Sequence, residues 1–345
     1  MDEQNLEMAA SLPAGPQRRK RDMNWVFVGS DGLRAGWGAL LFFLLYFVFL
    51  FLSGMLLGPF LAGLRNMTTM PLRLGLVVEV NQLLPAVLAT IVMALIEGRR
   101  PLAYGFQGQS RLLRFLFGIV WGFIAFTVFL LVLWKAGLLA FDGGRLGGAA
   151  MIEYGLGWGL MFLMVAAFEE SALRGYLQFT LTRGIGFWWG ALLLSVLFGF
   201  SHKVNAGETP MGLFSAAGVG LVFCLSLWYT GSLWWALGFH AAWDWAESYV
   251  YGTSDSGLAI QGHLLSTHPL GSLLWSGGRT GPEGSILVVP LLVIIAAMMV
   301  LWWGRRGESP FRGSAWRPAW SQLPAVQALA PGSTSVSGHD FQPGH

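Results

Sequence analysis

Eight continuous apolar stretches decide what this sequence can fold into. A helix needs about 20 apolar residues to cross the ~30 Å hydrocarbon core of a bilayer. Because apolar and polar residues do not alternate within the stretches, they are typical of helices rather than of barrel strands. The fifth and seventh stretches are short, so seven or nine spans also fit the pattern. The stretches cover residues 37–57, 74–96, 115–139, 155–178, 187–202, 211–229, 233–249 and 285–303.

The composition agrees with a membrane location. Of the 345 residues, 54% are hydrophobic and only 11% are charged, which is too apolar for an ordinary water-soluble domain. The sequence therefore predicts an all-α polytopic membrane protein with about eight transmembrane helices in a lipid bilayer.

Two polar ends flank the apolar region. Residues 1–35 are basic, residues 305–345 are rich in Gly, Ser and Pro, and neither has apolar periodicity, so both are predicted to be disordered. Residues 36–304 are predicted to form one membrane domain. Lys and Arg concentrate in the loops on the side of the two termini, which predicts that both termini are cytoplasmic. This asymmetry accounts for the net charge of +3, and no nucleic-acid partner is predicted.

Ionisable residues interrupt three of the apolar stretches. An ionised side chain at a helix centre costs roughly 2.5 to 3.5 kcal/mol on insertion scales, so such residues are expected to face a cavity or the protein interior. Their presence therefore predicts a polar cavity inside the membrane domain. The residues are Glu169, Glu170 and Arg174 in the fourth stretch, His202 in the fifth, and His240, Asp244 and Glu247 in the seventh.

Helix geometry sorts these residues into pairs. Glu170 and Arg174 are four residues apart and share a helix face, which predicts an ion pair between them. Glu169 is left without a partner on its own helix and is free to point into the cavity. His240 and Asp244 have the same spacing, so the carboxylate can orient the imidazole. Structural roles are the alternative, with histidines as interhelical hydrogen-bonding groups and Glu247 at the membrane interface.

One carboxylate and two histidines around a cavity favour hydrolysis by an activated water molecule. A nucleophilic side chain is disfavoured, because Cys224 has no evident base and no G-x-S-x-G stretch occurs. Glu169, His202 and His240 are the residues that would hold a divalent metal such as zinc. The residues do not decide between a metal-dependent and a metal-free reaction.

Three motifs in the order "EESALR", "FGFSH" and "HAAWD" resemble the signature of the CAAX prenyl protease and bacteriocin-processing family of intramembrane endopeptidases. The resemblance covers a core of residues 155–251. It implies an eight-span helical fold with a catalytic cavity inside the membrane. It implies cleavage of a peptide or protein in the membrane, lipidated in the CAAX subclass, near the C-terminus or at a leader sequence. The resemblance also leads us to expect this chain in a bacterial inner membrane.

The resemblance also implies roles for individual residues. Glu169 would be the general base for water, His202 would position that water, and His240 with Asp244 would polarise the scissile carbonyl. The supporting residues would be Glu170, Arg174 and Phe198. Eukaryotic prenyl-protein endopeptidases of the family carry Asn at the position of Asp244. An ionised Asp cannot donate a hydrogen bond to an oxyanion, so Asp244 is either protonated or orients His240, and the one-turn spacing favours the second role.

Two other functions fit the same residues. A proton-coupled membrane transporter would use Glu169, His202, His240 and Asp244 as a proton relay. A non-proteolytic immunity or scaffold member of the same fold would use the cavity for binding alone. The absence of an evident internal repeat in the sequence counts against the transporter.

Overall fold

Most of the described residues of the predicted membrane domain are helical. The structure is a computed structural model that describes residues 26–29, 32–61, 69–144, 146–305 and 309–311. The α-helices are α1 (Ala35–Leu61), α2 (Leu72–Ile96), α3 (Arg111–Lys135), α4 (Gly148–Glu169), α5 (Gln178–Ile185), α6 (Phe187–Ser201), α7 (Pro210–Thr230), α8 (Trp234–Asp244), α9 (Leu273–Ser276) and α10 (Val288–Trp303).

Six helical segments among the described residues are long and apolar enough to cross a membrane. The segments are Ala35–Leu61, Leu72–Ile96, Arg111–Lys135, Gly148–Ile185, Phe187–Val204 and Pro210–Thr230. This confirms an all-α polytopic membrane protein. The remaining two predicted spans, 233–249 and 285–303, coincide with the shorter helices α8 and α10.

Two π-helical segments extend the helices that carry the buried charges. Glu170–Leu177 joins α4 to α5, so that the helical segment is 38 residues long. Trp245–Val250 continues α8 beyond Asp244. A π-segment adds a residue to a helical turn and is frequently found at a functional site. The apolar pattern did not reveal either segment, because it does not distinguish a π-helical turn from an α-helical one.

The strands form two small antiparallel ribbons. Val28–Gly29 (β1) pairs with Gly32–Leu33 (β2) just before α1. Leu139–Gly144 (β3) pairs with Leu265–Pro269 (β4), with an irregularity between Phe141 and Gly143. The second ribbon brings the connection between α3 and α4 into contact with the long connection between α8 and α10.

That long connection, residues 251–287, also contacts two other inter-helix connections. Backbone hydrogen bonds join Met70 to Ala259 and Gln261 at 2.8 and 2.9 Å. The Asn205 amide donates to the carbonyl oxygen of Ser256 at 2.9 Å. Connections before α2, α4 and α7 are therefore all held against residues 251–287, at one end of the helix bundle.

The polar ends of the chain lie mostly outside the described residues. The disorder of residues 1–35 and 305–345 stays a prediction, because the structure describes only short pieces of these two ranges. One of those pieces is the β1–β2 ribbon. In another, Ser309 donates to the carbonyl oxygen of Trp228 at 2.6 Å, and the buried Phe311 ring is tilted against the Phe187 ring with centroids 4.7 Å apart.

Glycines allow α3 and α8 to cross with their backbones in contact. Gly118 and Gly122 of α3 have the four-residue spacing typical of close helix pairs in membranes. A Cβ atom at Gly122 would overlap the carbonyl oxygen of Phe239, and one at Gly238 would overlap that of Phe115. Because α8 carries His240 and Asp244, this crossing fixes where both side chains lie.

We expect Gly122→Leu to destabilise the protein by about 1–3 kcal/mol, the usual cost of overfilling a packed interior. The added side chain has to separate α3 from α8. Thermal unfolding of the purified protein, followed by tryptophan fluorescence, measures the effect. Gly58→Leu is the matched control, because a Cβ atom at Gly58 of α1 meets nothing within 4 Å. Equal unfolding midpoints for the two variants would show that the crossing tolerates separation.

Candidate active site

A cavity of about 730 Å³ lies among the helices. The four predicted catalytic residues, Glu169, His202, His240 and Asp244, all line it. Most of the other lining side chains are apolar and come from α1, α2, α4, α6, α7 and α8. The polar residues thus share one compartment with apolar walls, which strengthens electrostatic interactions between them.

His240 lies at the centre of three carboxylates. Its Nε2 atom is 3.4 Å from Glu169 Oε2 and also 3.4 Å from Asp244 Oδ2. Its Nδ1 atom is 3.3 Å from Glu170 Oε1, without the alignment of a hydrogen bond. The Phe223 ring stacks on the imidazole with centroids 5.3 Å apart. His240 is only 8% exposed, so its orientation is fixed by these neighbours.

Glu170 and Arg174 form the ion pair that their spacing predicts. Arg174 Nη1 donates to Glu170 Oε1 at 3.1 Å, and both residues are fully buried. The guanidinium lies over the Phe198 ring at 4.3 Å, where the ring face interacts favourably with the positive charge. Gly220 of α7 leaves room for the arginine, since a Cβ atom there would be 2.5 Å from Arg174 Nη2.

The two adjacent glutamates, Glu169 and Glu170, differ in their exposure and in their position along the helix. Glu169 is the last residue of α4 and its side chain is 20% exposed, whereas Glu170 begins the π-segment and is fully enclosed. Adjacent helical residues point about 100° apart. Both reach His240 nevertheless, because they approach opposite nitrogens of the ring.

His202 lies at the end of α6, separated from His240 by Phe198. Its Nδ1 atom is 2.8 Å from the carbonyl oxygen of Phe198, one turn earlier. A carbonyl oxygen only accepts, so this contact requires a proton on Nδ1 and leaves Nε2 of a neutral His202 as an acceptor. The Phe198 ring centroid is 4.8 Å from that of His202 and 6.3 Å from that of His240.

The predicted metal ligands do not form a compact cluster in the structure. Among the described residues, a single group of histidine, cysteine or acidic side chains has ligand atoms all within 4.8 Å of one another, and Glu169, His202 and His240 are not that group. A metal ion held by these three residues stays a prediction, and the chemistry below uses none.

Glu247 has a buried position that the sequence did not predict. As a structural alternative the sequence placed it at the membrane interface, and in the structure the residue is fully buried within the protein. The π-segment that follows Asp244 turns Glu247 inward, where its Oε2 atom accepts a hydrogen bond from Trp243 Nε1 at 3.1 Å.

Three acidic residues that line the cavity were not among the predicted site residues. Glu79 of α2 is 7% exposed and accepts a hydrogen bond from Gln82 at 3.3 Å. Asp255 and Glu283 come from the long connection 251–287. Burial and the carboxylate of Glu283 raise the pKa of Asp255 well above its usual value. The Gly and Pro residues around Glu283, in "GPEGS", are typical of a shaped loop and do not indicate a site residue.

Comparison with known families covers the centre of this site. Residues 152–246 match the family described as Type II CAAX prenyl endopeptidase Rce1-like. We call residues 152–246 the Rce1-like region. The resemblance expected from the three motifs is thereby confirmed, since the matched region contains all of them. A comparison with curated proteins finds no match.

The Rce1-like region ends at residue 246, but residues outside this region also line the cavity. The region includes Glu169, His202, His240 and Asp244, together with the buried ion pair. Glu79, Asp255 and Glu283 lie outside it, although they line the same cavity.

We expect Arg174→Met to destabilise the protein by about 3–5 kcal/mol, the usual cost of leaving one charge of a buried pair alone. Adding Glu170→Gln removes that charge and should recover part of the loss. Thermal unfolding midpoints of the two variants test this, with Arg73→Met at an exposed position of α2 as the control. If the double variant is less stable than Arg174→Met alone, the ion pair is not the source of the effect.

Proposed function

We propose that this protein is an intramembrane endopeptidase that hydrolyses a peptide bond of a membrane-associated protein with an activated water molecule. The observation that carries the proposal is the convergence of Glu169, His240 and Asp244 in a cavity that His202 also lines. The Rce1-like match over the same residues supports a CAAX-type endopeptidase, a hydrolase of the bilayer.

Glu169 and His202 are suited to activate and position the attacking water molecule. Glu169 is the most exposed of the three carboxylates around His240, so water reaches it from the cavity. In the proposed reaction it takes a proton from water while the oxygen bonds to the scissile carbonyl carbon. His202 has an acceptor nitrogen available for the second water hydrogen. When the C–N bond breaks, Glu169 returns the proton to the departing amine.

His240 is the group suited to the carbonyl oxygen. A proton on its Nε2 atom can be donated to the oxyanion that develops as water attacks. The Glu170 carboxylate favours that donor role because it lies beside Nδ1, on the opposite side of the ring, while Asp244 lies beside Nε2 and favours the protonated state of that nitrogen. Asp244 thereby orients and polarises His240 and is not itself an oxyanion donor. Glu170 is in turn held by Arg174.

The cavity suggests a substrate that approaches from the lipid. Phe47 of α1 and Leu197 of α6 both line the cavity, yet 59% and 38% of their surfaces are exposed on the outside of the helix bundle. The cavity wall therefore continues onto the face that would contact lipid. Aromatic residues of α1, among them Phe43 and Tyr46, form an apolar lining beside Glu169. We propose a lipid-modified peptide as the substrate.

The test compares a peptide carrying a prenylated cysteine near its C-terminus with the same peptide unmodified. Purified full-length protein in lipid nanodiscs is expected to cleave the prenylated peptide with the higher kcat/KM. Glu169→Gln keeps the shape and removes the base, so kcat should fall by about 10²–10⁴. Mass spectrometry of the new termini measures cleavage and locates the bond.

Glu153→Gln is the matched control, because Glu153 is exposed on the same helix and does not line the cavity. Its activity should equal that of the unchanged protein. Retention of activity within twofold by Glu169→Gln would refute Glu169 as the base. If neither peptide nor a proteome-derived library yields products, the proposed endopeptidase function is wrong.

A second test concerns Asp244. Asn keeps an acceptor oxygen beside His240, whereas Leu keeps the size and removes it. We expect Asp244→Asn to lower kcat/KM by about 10–100-fold, as for other residues that orient a functional histidine, and Asp244→Leu to lower it further. Steady-state kinetics across pH compares the two. Equal losses would mean that the acceptor is not used, and a gain in Asp244→Asn would favour a direct donor role.

A further inference from the structure

Three carboxylates meet beside the active site, outside the Rce1-like region. Glu247, Asp255 and Glu283 each place an oxygen within 4.8 Å of the other two. They come from the π-segment after α8, from the start of the 251–287 connection and from the 3₁₀ turn Pro282–Gly284 near its end. We call these three residues the acidic triad. None of them belongs to the proposed hydrolytic machinery.

The acidic triad has fewer donors than its oxygens require. A single N–H group, Nε1 of Trp243, lies 3.1 Å from Glu247 Oε2 and 2.8 Å from Glu283 Oε1. Ser256 donates to the other oxygen of Glu283 at 2.9 Å. The remaining oxygen of Glu247, Oε1, is buried and has no hydrogen-bond partner in the part of the chain that the structure describes. It lies on the side of Gly281, two residues from Glu283.

No basic side chain balances the negative charge. Within the described ranges, the salt bridges involve Glu97, Glu169, Glu170, Asp142 and Asp244, and none involves the acidic triad. Three close carboxylates repel one another when ionised, and burial of Glu247 adds a desolvation cost. Buried charges in proteins are paired or coordinate a metal ion.

We propose that the acidic triad binds a calcium ion. Carboxylate oxygens with no nitrogen or sulfur ligand favour a hard cation. Oxygen ligands lie about 2.3–2.6 Å from calcium, so any two ligands of one ion are at most roughly 5 Å apart. The three oxygens of the acidic triad meet that limit. Calcium accepts flexible sets of protein carboxylates, whereas magnesium requires a near-ideal octahedron and usually keeps several waters.

The ion would join parts of the chain that are far apart in sequence. It would bind the helical extension that carries Glu247 to both ends of the 251–287 connection. Asp244 is three residues before Glu247, and Asp255 and Glu283 line the catalytic cavity. The bound ion would therefore stabilise the connection against the end of α8. With eight spans and cytoplasmic termini, as the basic loops predict, this end faces outward, where weak calcium sites of the 10⁻⁴–10⁻³ M class are used.

The experiment uses the purified full-length protein after treatment with EGTA and dialysis. Calcium chloride is titrated to about 10 mM, tenfold above the weakest expected dissociation constant. Equilibrium binding of radioactive calcium should give one ion per chain. The apparent midpoint of thermal unfolding should rise by about 5 °C at saturation, since the ion binds the folded state.

Glu283→Gln and Asp255→Asn should each weaken calcium binding at least about tenfold and remove the rise in the midpoint. Glu153→Gln, an exposed carboxylate on α4, is the matched control and should bind like the unchanged protein. Two triad variants are used so that the test still gives a result if one of them folds poorly.

Three results would overturn the proposal. The first is the absence of stoichiometric binding at 10 mM calcium, about tenfold above the expected range. The second is a midpoint that rises in the triad variants without calcium and is unchanged by it, which would show that shared protons relieve the repulsion. The third is stronger binding of zinc than of calcium, which would contradict an all-oxygen site for a hard cation.

Discussion

The buried ion pair between Glu170 and Arg174 is the interaction on which the site depends. An unpaired charge in the interior of a membrane domain costs several kcal/mol, so neither residue is tolerable without the other. Their pairing at 3.1 Å fixes the π-segment that begins at Glu170. It thereby fixes Glu169, the residue before it, at the cavity wall. The same Glu170 oxygen lies 3.3 Å from His240, so the pair also aligns α4 with α8.

Close helix packing supplies the second constraint. The glycines of α3 and α8 bring the two backbones together, and Gly220 of α7 makes space for Arg174. Small residues are used here where bulkier ones would push the catalytic groups apart, since membrane helices associate through packing rather than through exclusion of water. The aromatic rings of Phe198 and Phe223 then occupy the space between Arg174 and His240, which keeps the polar residues in an apolar surrounding.

The sequence predicted the parts of this arrangement that depend on local spacing. Apolar length predicted the membrane helices, and a separation of four residues predicted the Glu170–Arg174 pair and the closeness of His240 to Asp244. It could not predict that Glu247 turns inward, because that depends on a π-segment whose residues look like ordinary helix. Nor could it join Asp255 and Glu283 to the cavity. Those two are brought there by a long connection whose fold depends on contacts with distant parts of the chain.

The placement of the carboxylates separates two kinds of chemistry within one cavity. Around His240, each acidic group faces a ring nitrogen or Arg174, so negative charge is matched by donors that a hydrolytic reaction can use. Around Trp243, two carboxylates share one donor and a third lies beside them, so the charge there is not matched by the chain. Three carboxylates this close repel one another when ionised, and a bound divalent cation would balance them. The first group is therefore arranged for catalysis and the second for holding the connection that borders it.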